Sequence, residues 1–258
     1  MFYTINMNLD DEVIFLSDDK LFYTLEGEGE YIGQPSVFMR MSMCNLTCKG
    51  FASADSPHGC DSYISWSVKN KMKFADIWEE FFLKSGYAEK LNKGAILKLT
   101  GGEPLIQEIK LLKFVEYISN KLGKTPRIDF ETNATIIPDQ NWKTDFFATF
   151  TTSPKLTHNG DPENRTYKPD ALRWHSQYES GFKFVINTDK DIEEVWKKYV
   201  NDDKGINVPL HRIWFMPCCG SRAEHIEKAP AVAEYAKAMN VNFSPRLHLL
   251  LWDKALKV

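Results

Sequence analysis

Apolar and polar positions alternate along this chain with two periods, and the two periods take turns. Short apolar runs of strand length fall at residues 13–16, 22–25, 36–43, 96–99, 127–130, 146–151, 182–186 and 212–216. Between them lie stretches with helical spacing. One covers 74–83, with Ile77, Trp78, Phe81 and Phe82 on one side; another covers 105–122, with Ile109, Leu112, Val115, Ile118 and Leu122 in register and Gly123 as its stop. Thr188 is placed to cap a third helix running to residue 200, and a fourth covers 222–239. The lead before residue 36 reads as β-rich, with a turn at Ser17-Asp18-Asp19; its first twenty residues have no assigned role, and the crossover between 130 and 146 has no clear pattern. Strands alternating with helices predict parallel βα units of the α/β class. The six strands counted from residue 37 onward suit a partial (β/α)6 barrel over one domain, 1–258, with chemistry at the C-terminal strand ends.

Composition narrows the partners. At 258 residues, 43% hydrophobic and 26% charged, the chain can bury one sizeable core. Net charge is -3 and the basic residues are dispersed, which predicts no nucleic-acid face and a small-molecule partner. The N-terminus is acidic and no apolar run approaches the ~20 residues of a membrane span, so a soluble, cytoplasmic protein without a membrane partner is expected. Five cysteines, an odd number that includes the adjacent Cys218 and Cys219, argue for free thiols in a reducing compartment.

The cysteines carry the strongest chemical signal. The apolar run 36–43 delivers Cys44 into a polar loop, where Cys48 and Cys60 complete the spacing C-x3-C-x11-C. Three thiolates can hold an iron-sulfur cluster and leave one iron open. The interval 49–59, an insertion, also contains His58, and three cysteines with one histidine would complete a zinc tetrahedron. Around this loop stand Leu25-Glu26-Gly27-Glu28-Gly29, Phe38-Met39-Arg40, Thr100-Gly101-Gly102-Glu103-Pro104, Glu131-Thr132-Asn133, Ser153-Pro154-Lys155 and Ser244-Pro245-Arg246-Leu247-His248. Glycines 27, 29 and 33 suit either a close approach to a ligand or a plain hairpin turn. Arg40 inside an apolar strand needs an anionic partner, either Glu28 or a substrate carboxylate.

In this order, from about residue 22 to 252, the motifs resemble the 7-carboxy-7-deazaguanine synthase family of radical S-adenosylmethionine enzymes. The resemblance implies a radical SAM type of barrel and a four-iron, four-sulfur cluster on Cys44, Cys48 and Cys60. It implies S-adenosylmethionine held by Gly59, Gly101, Gly102, Glu103, Ser153, Pro154, Lys155, Met216 and Pro217, with Glu103 accepting from the methionine ammonium. It implies a pterin bound by Leu25, Glu26, Gly27, Glu28, Arg40, Thr100 and His248, and Mg2+ at Ser62. The reaction would convert 6-carboxy-5,6,7,8-tetrahydropterin to 7-carboxy-7-deazaguanine, with an electron donor such as flavodoxin and a homodimeric state. The chain departs from the family in the long second cysteine interval, in Ser62 where threonine is usual, and in Glu26 where glutamine is common. Two alternatives stay open: a radical enzyme on another substrate, such as a glycyl-radical activase, and a non-catalytic zinc-binding module.

Overall fold

The computed structural model describes residues 9–51, 58–178 and 180–255. Its centre is a sheet of nine strands: β1 (Val13–Leu25), β2 (Pro35–Met41), β3 (Asn70–Lys73), β4 (Ile96–Gly101), β5 (Arg127–Thr132), β6 (Thr149–Thr152), β7 (Gly181–Ile186), β8 (Ile213–Pro217) and β9 (Asn242–Phe243). The order is β3-β1-β2-β4-β5-β6-β7-β8-β9. β1 pairs antiparallel with β2 and β3, and every other pairing is parallel. From β4 onward the sheet adds one neighbour at a time as the chain advances, the progression of a (β/α) barrel rather than of a doubly wound sheet.

The two-residue period of a strand decides which side chains reach the site. Val37, Met39 and Met41 of β2, Leu97 and Leu99 of β4, Ile128 and Phe130 of β5 and Phe150 of β6 are buried in one core with Phe74, Ile77, Phe82, Leu111, Phe114 and Ile118 of the helical layer. β7 and β8 continue that layer with Phe182, Phe184, Ile186, Ile213 and Phe215, packed with Val195, Tyr199 and Val232. The intervening positions, Arg40, Lys98, Thr100, Asp129, Glu131, Thr149, Thr151 and Lys183, take the other face. Parallel register sets Arg40 beside Thr100, Lys98 beside Asp129, and Glu131 beside Thr151.

Several elements differ from the sequence reading. The helix after β4 runs Glu108–Leu122, preceded by a 3-10 turn at Pro104–Gln107. Its buried stripe is Leu111, Phe114, Val115 and Ile118, and Ile109 is 74% exposed. The face carrying Phe114 offers more apolar area, so the helix turns that way. Ser17 to Asp19 do not form a turn: β1 runs through them with a register shift between Leu16 and Leu21, held by β3 on one side and β2 on the other. The strand expected from 146 begins only at Thr149, and Phe147 is 79% exposed. The helix Pro169–Gln177, between β6 and β7, was not legible. The last long helix, Arg222–Met239, starts as expected, with Ser221 Oγ accepting from Glu224 N–H. Residues 1–8 of the lead and 52–57 of the cysteine-loop insertion lie outside the described residues.

Candidate active site

The cysteine loop is clamped at its root and at its far side. Where β2 ends, Gly102 N–H donates to Met41 O at 3.0 Å and Glu103 N–H to Met43 O at 2.9 Å. A Cβ at Gly102 would overlap the Met43 carbonyl, and one at Gly101 the Met41 backbone. The two glycines therefore let β4's loop lie against the start of the cysteine loop. On the far side Asp161 accepts from Thr47 N–H at 2.8 Å, Thr47 Oγ1 at 2.7 Å and Cys48 N–H at 2.8 Å. Cys60 returns to the same place through Gly59, whose φ of +89° and missing Cβ let it pack on the Cys48 and Lys49 backbone.

Burial pushes the Cys44 thiol up to about 12 and Cys48 up to about 11, and it raises Cys60 as well. Cys44 and Cys48 each feel Cys60, and Cys44 feels Cys48, so the three thiols face one neighbourhood. Thiols this protonated must release protons to bind metal. His58, the candidate fourth zinc ligand, stacks on Tyr63 with ring centroids 4.1 Å apart. Among the described residues no three His, Cys, Asp or Glu side chains converge on one metal ion. Three thiols carried on one loop are the donor set that an iron-sulfur cluster takes, so the residues present fit one.

The neighbouring motifs gather at the same mouth. Glu103 is fully buried, and its carboxylate accepts from Leu105 N–H at 3.1 Å, Thr132 Oγ1 at 2.9 Å and Asn133 N–H at 2.7 Å. Burial outweighs these bonds and raises its pKa to about 7. In this structure it braces β4 against β5, a role the sequence reading did not give it. Lys155 Nζ donates to Ser153 O at 2.9 Å and Oγ at 3.0 Å, and its charge acts on Cys48, Cys60 and Glu103. Met216 and Pro217 close β8 beside Val185 and Ile186.

Across the polar face runs a network of buried charges. Lys98 Nζ lies 2.5 Å from Glu26 Oε2 and 2.6 Å from Asp129 Oδ2. Burial opposes its charge, but Asp129 and Glu26 outweigh that and hold Lys98 above the ordinary lysine pKa. Burial raises Glu26, whose other oxygen accepts from Gly27 and Glu28 N–H at 2.9 and 3.1 Å. Lys183 Nζ bridges Glu28 at 2.6 Å and Glu131 at 2.8 Å, and Thr100 Oγ1 donates to Glu131 at 3.0 Å. Arg246 binds Glu28 at 2.7 Å, Asp61 at 2.8 Å and the Cys219 carbonyl.

Glu28 is therefore paired with Lys183 and Arg246, not with Arg40 as the sequence allowed. Arg40 instead acts on Asp61, next to Ser62, whose Oγ donates to Asp61 at 3.2 Å. The glycine loop that leaves β1 at Leu25 folds over this face. Leu247 N–H donates to Gly27 O at 2.8 Å, Gly29 N–H to Ser244 Oγ at 2.7 Å, and the His248 ring occupies the space a Cβ at Gly27 would need. The structure thus brings Glu26, Glu28, Thr100 and His248 into one network, with Arg40 at its Asp61 end.

Lys98, Asp129, Lys183 and Asp161 were missed as site residues. Three of them had a signal: one charge flanked by apolar residues inside a strand, as in Leu97-Lys98-Leu99, Ile128-Asp129-Phe130 and Phe182-Lys183-Phe184. A strand that buries one face and hides a charge on the other is building a polar interior.

No protein-family model matches the chain. It is 28% identical to the 7-carboxy-7-deazaguanine synthase of Pyrobaculum aerophilum, over 92% of this chain and 94% of that protein. It is also 28% identical to that of Hyperthermus butylicus, over 90% and 91% of the two chains. Among solved structures, that of QueE from Escherichia coli aligns with a TM-score of 0.62 at 19% identity, covering 96% of this chain and all of the other, a likeness of fold. Similarity over about nine-tenths of its length makes the chain a relative of the 7-carboxy-7-deazaguanine synthases.

Proposed function

We propose that the chain converts 6-carboxy-5,6,7,8-tetrahydropterin to 7-carboxy-7-deazaguanine with loss of ammonia, in 7-deazapurine biosynthesis. The observation that carries this reading is the three-cysteine loop clamped by Gly101 to Glu103 at the edge of a polar, charge-lined face. The similarity to synthases of that name supports the substrate. Cys44, Cys48 and Cys60 would hold a four-iron, four-sulfur cluster. Gly59, Gly101, Gly102, Glu103, Ser153, Pro154, Lys155, Met216 and Pro217 would hold S-adenosylmethionine. When bound, the pair would supply radical hydrogen-abstraction chemistry toward the pterin.

The chain's own residues position and shield. Arg40, through its fork of donors, takes the substrate carboxylate. Leu25, Glu26, Gly27, Glu28, Thr100 and His248 line the ring site; Lys183 and Arg246 keep Glu28 charged, whereas burial raises Glu26. Glu103, at about 7, is poised so that a neighbouring ammonium favours its ionised form. Ser62 and Asp61 offer two hard oxygen donors for Mg2+, which would take its remaining ligands from water and substrate. No helix among the described residues is long and apolar enough to cross a membrane. A cytoplasmic homodimer fed by an electron donor such as flavodoxin completes the reading.

Metal analysis and electron paramagnetic resonance of protein reconstituted anaerobically with iron and sulfide test the cluster. About four irons per chain and a reducible cluster signal are expected. Retained zinc without iron would contradict the reading.

A further inference from the structure

The loop that follows β6 does more than hold the cysteine loop in place. Residues Thr157–Asn159 form a 3-10 turn that Gly160, at φ +83°, reverses toward Asp161. Glu194 accepts from Thr157 N–H at 2.9 Å, and His158 Nδ1 lies 2.7 Å from Asp191, so the turn is anchored to the helix Asp189–Val195. Gly50 packs directly on the His158 carbonyl, where no Cβ would fit.

Asn159 is fully buried at the centre of this contact. Its Oδ1 accepts from Asp161 N–H at 2.9 Å, which fixes the orientation of the amide. Nδ2 must then face the other way. It donates to Asp161 Oδ2 at 3.3 Å and to Cys48 Sγ at 3.8 Å. Both amide protons are thereby used, and one of them is aimed at a sulfur.

We propose that Asn159 is a positioning residue for the cluster, donating a hydrogen bond to the Cys48 sulfur that raises the reduction potential. The proposal rests on the reading of Cys48 as a cluster ligand. A donor at a thiolate withdraws electron density from it and favours the reduced, more negative cluster. Asp161 works beside it without touching sulfur: it fixes the Cys48 backbone and one Asn159 proton, so the donor cannot rotate away.

The test is a potentiometric titration of the reconstituted protein, followed by electron paramagnetic resonance without S-adenosylmethionine or pterin. Asn159→Asp keeps the acceptor for Asp161 N–H and removes the donor; Asn159→Ser is too short to reach Cys48. Thr47→Val removes a different bond to Asp161, the one at 2.7 Å, and leaves the sulfur contact alone. Expected is a lower midpoint in whichever Asn159 variant retains the cluster, with the ratio of reduced to oxidised cluster falling about tenfold at fixed potential, or about 59 mV for one electron. Thr47→Val is expected to titrate as the parent does. An unchanged midpoint in the Asn159 variants, an equal shift in Thr47→Val, or loss of the cluster from both Asn159 variants would reduce Asn159 to a structural brace and overturn the proposal. A parent protein that binds no cluster would overturn it together with the reading it rests on.

Discussion

Lys98 Nζ stands 2.5 Å from Glu26 Oε2, and neither side chain is more than 3% exposed. The contact ties the loop after β1 to the middle of β4. With Asp129 as the second anion, Lys98 is outnumbered by buried carboxylates, which explains why its charge survives burial. Lys98→Met strands Glu26 and Asp129 without their cation and is expected to cost about 3–5 kcal/mol in urea unfolding. Glu26→Gln keeps an acceptor for Gly27 and Glu28 N–H and leaves Lys98 paired with Asp129, so its cost is expected near about 1 kcal/mol. Equal losses in the two variants would contradict this division.

Acid sensitivity follows from Glu131. Burial alone would raise its pKa, but Lys183 and Lys98 outweigh burial and bring it to about 2, against an ordinary 4.5. A carboxylate with a depressed folded-state pKa contributes stability that is present above 4.5 and lost as pH falls toward 2. The contribution is about 2–3 kcal/mol, and Glu131→Gln is expected to flatten the stability profile across that window. Glu103 has the opposite sign: raised to about 7, it costs stability progressively as pH rises from 4.5 to 7. Urea midpoints at intervals of one pH unit check both slopes.

The glycines separate close approach from backbone conformation. A Cβ at Gly102 would overlap the Met43 carbonyl beside Cys44, whereas one at Gly33 meets nothing within 4 Å and suffers only from its φ of +80°. Gly33→Ala is expected to cost about 1–2 kcal/mol with normal iron content. Gly102→Ala must move the cysteine loop, and its iron content after reconstitution is expected to fall severalfold. Equal iron retention would show that the loop root tolerates displacement.

Arg40→Ala tests substrate binding separately from the cluster. Loss of the guanidinium fork is expected to raise KM for the carboxypterin at least about tenfold, with iron content unchanged, because a charged hydrogen bond contributes about 1.5–3 kcal/mol. An unchanged KM would move the carboxylate elsewhere in the site and favour a different substrate.

How far the sequence could be read depends on the range of the forces involved. The six parallel strands were legible because each is a local apolar run, and the helix after Thr188 because its cap signal lies within one turn. That Cys44, Cys48 and Cys60 share one loop was legible because the three lie close together in the sequence. The stripe of the helix Glu108–Leu122 was misread by choosing Ile109 over Phe114, since two overlapping periodicities exist and only packing in the core, where Phe114 meets Phe74 and Phe82, chooses between them. Arg40 was offered Glu28, yet Glu28 is claimed by Lys183 and by Arg246, 155 and 218 positions away. Asn159 and Asp161 gave no signal at all, because their partners Thr47 and Cys48 are brought to them only by the completed sheet.

The most direct measurement of the central claim is product formation. Protein reconstituted anaerobically with iron and sulfide is incubated with reductant, S-adenosylmethionine, Mg2+ and 6-carboxy-5,6,7,8-tetrahydropterin, and the mixture is read by mass spectrometry. The account predicts 7-carboxy-7-deazaguanine, formed despite Glu26 and the long interval between Cys48 and Cys60. Accumulation of 5'-deoxyadenosine with the pterin unchanged would contradict the substrate assignment.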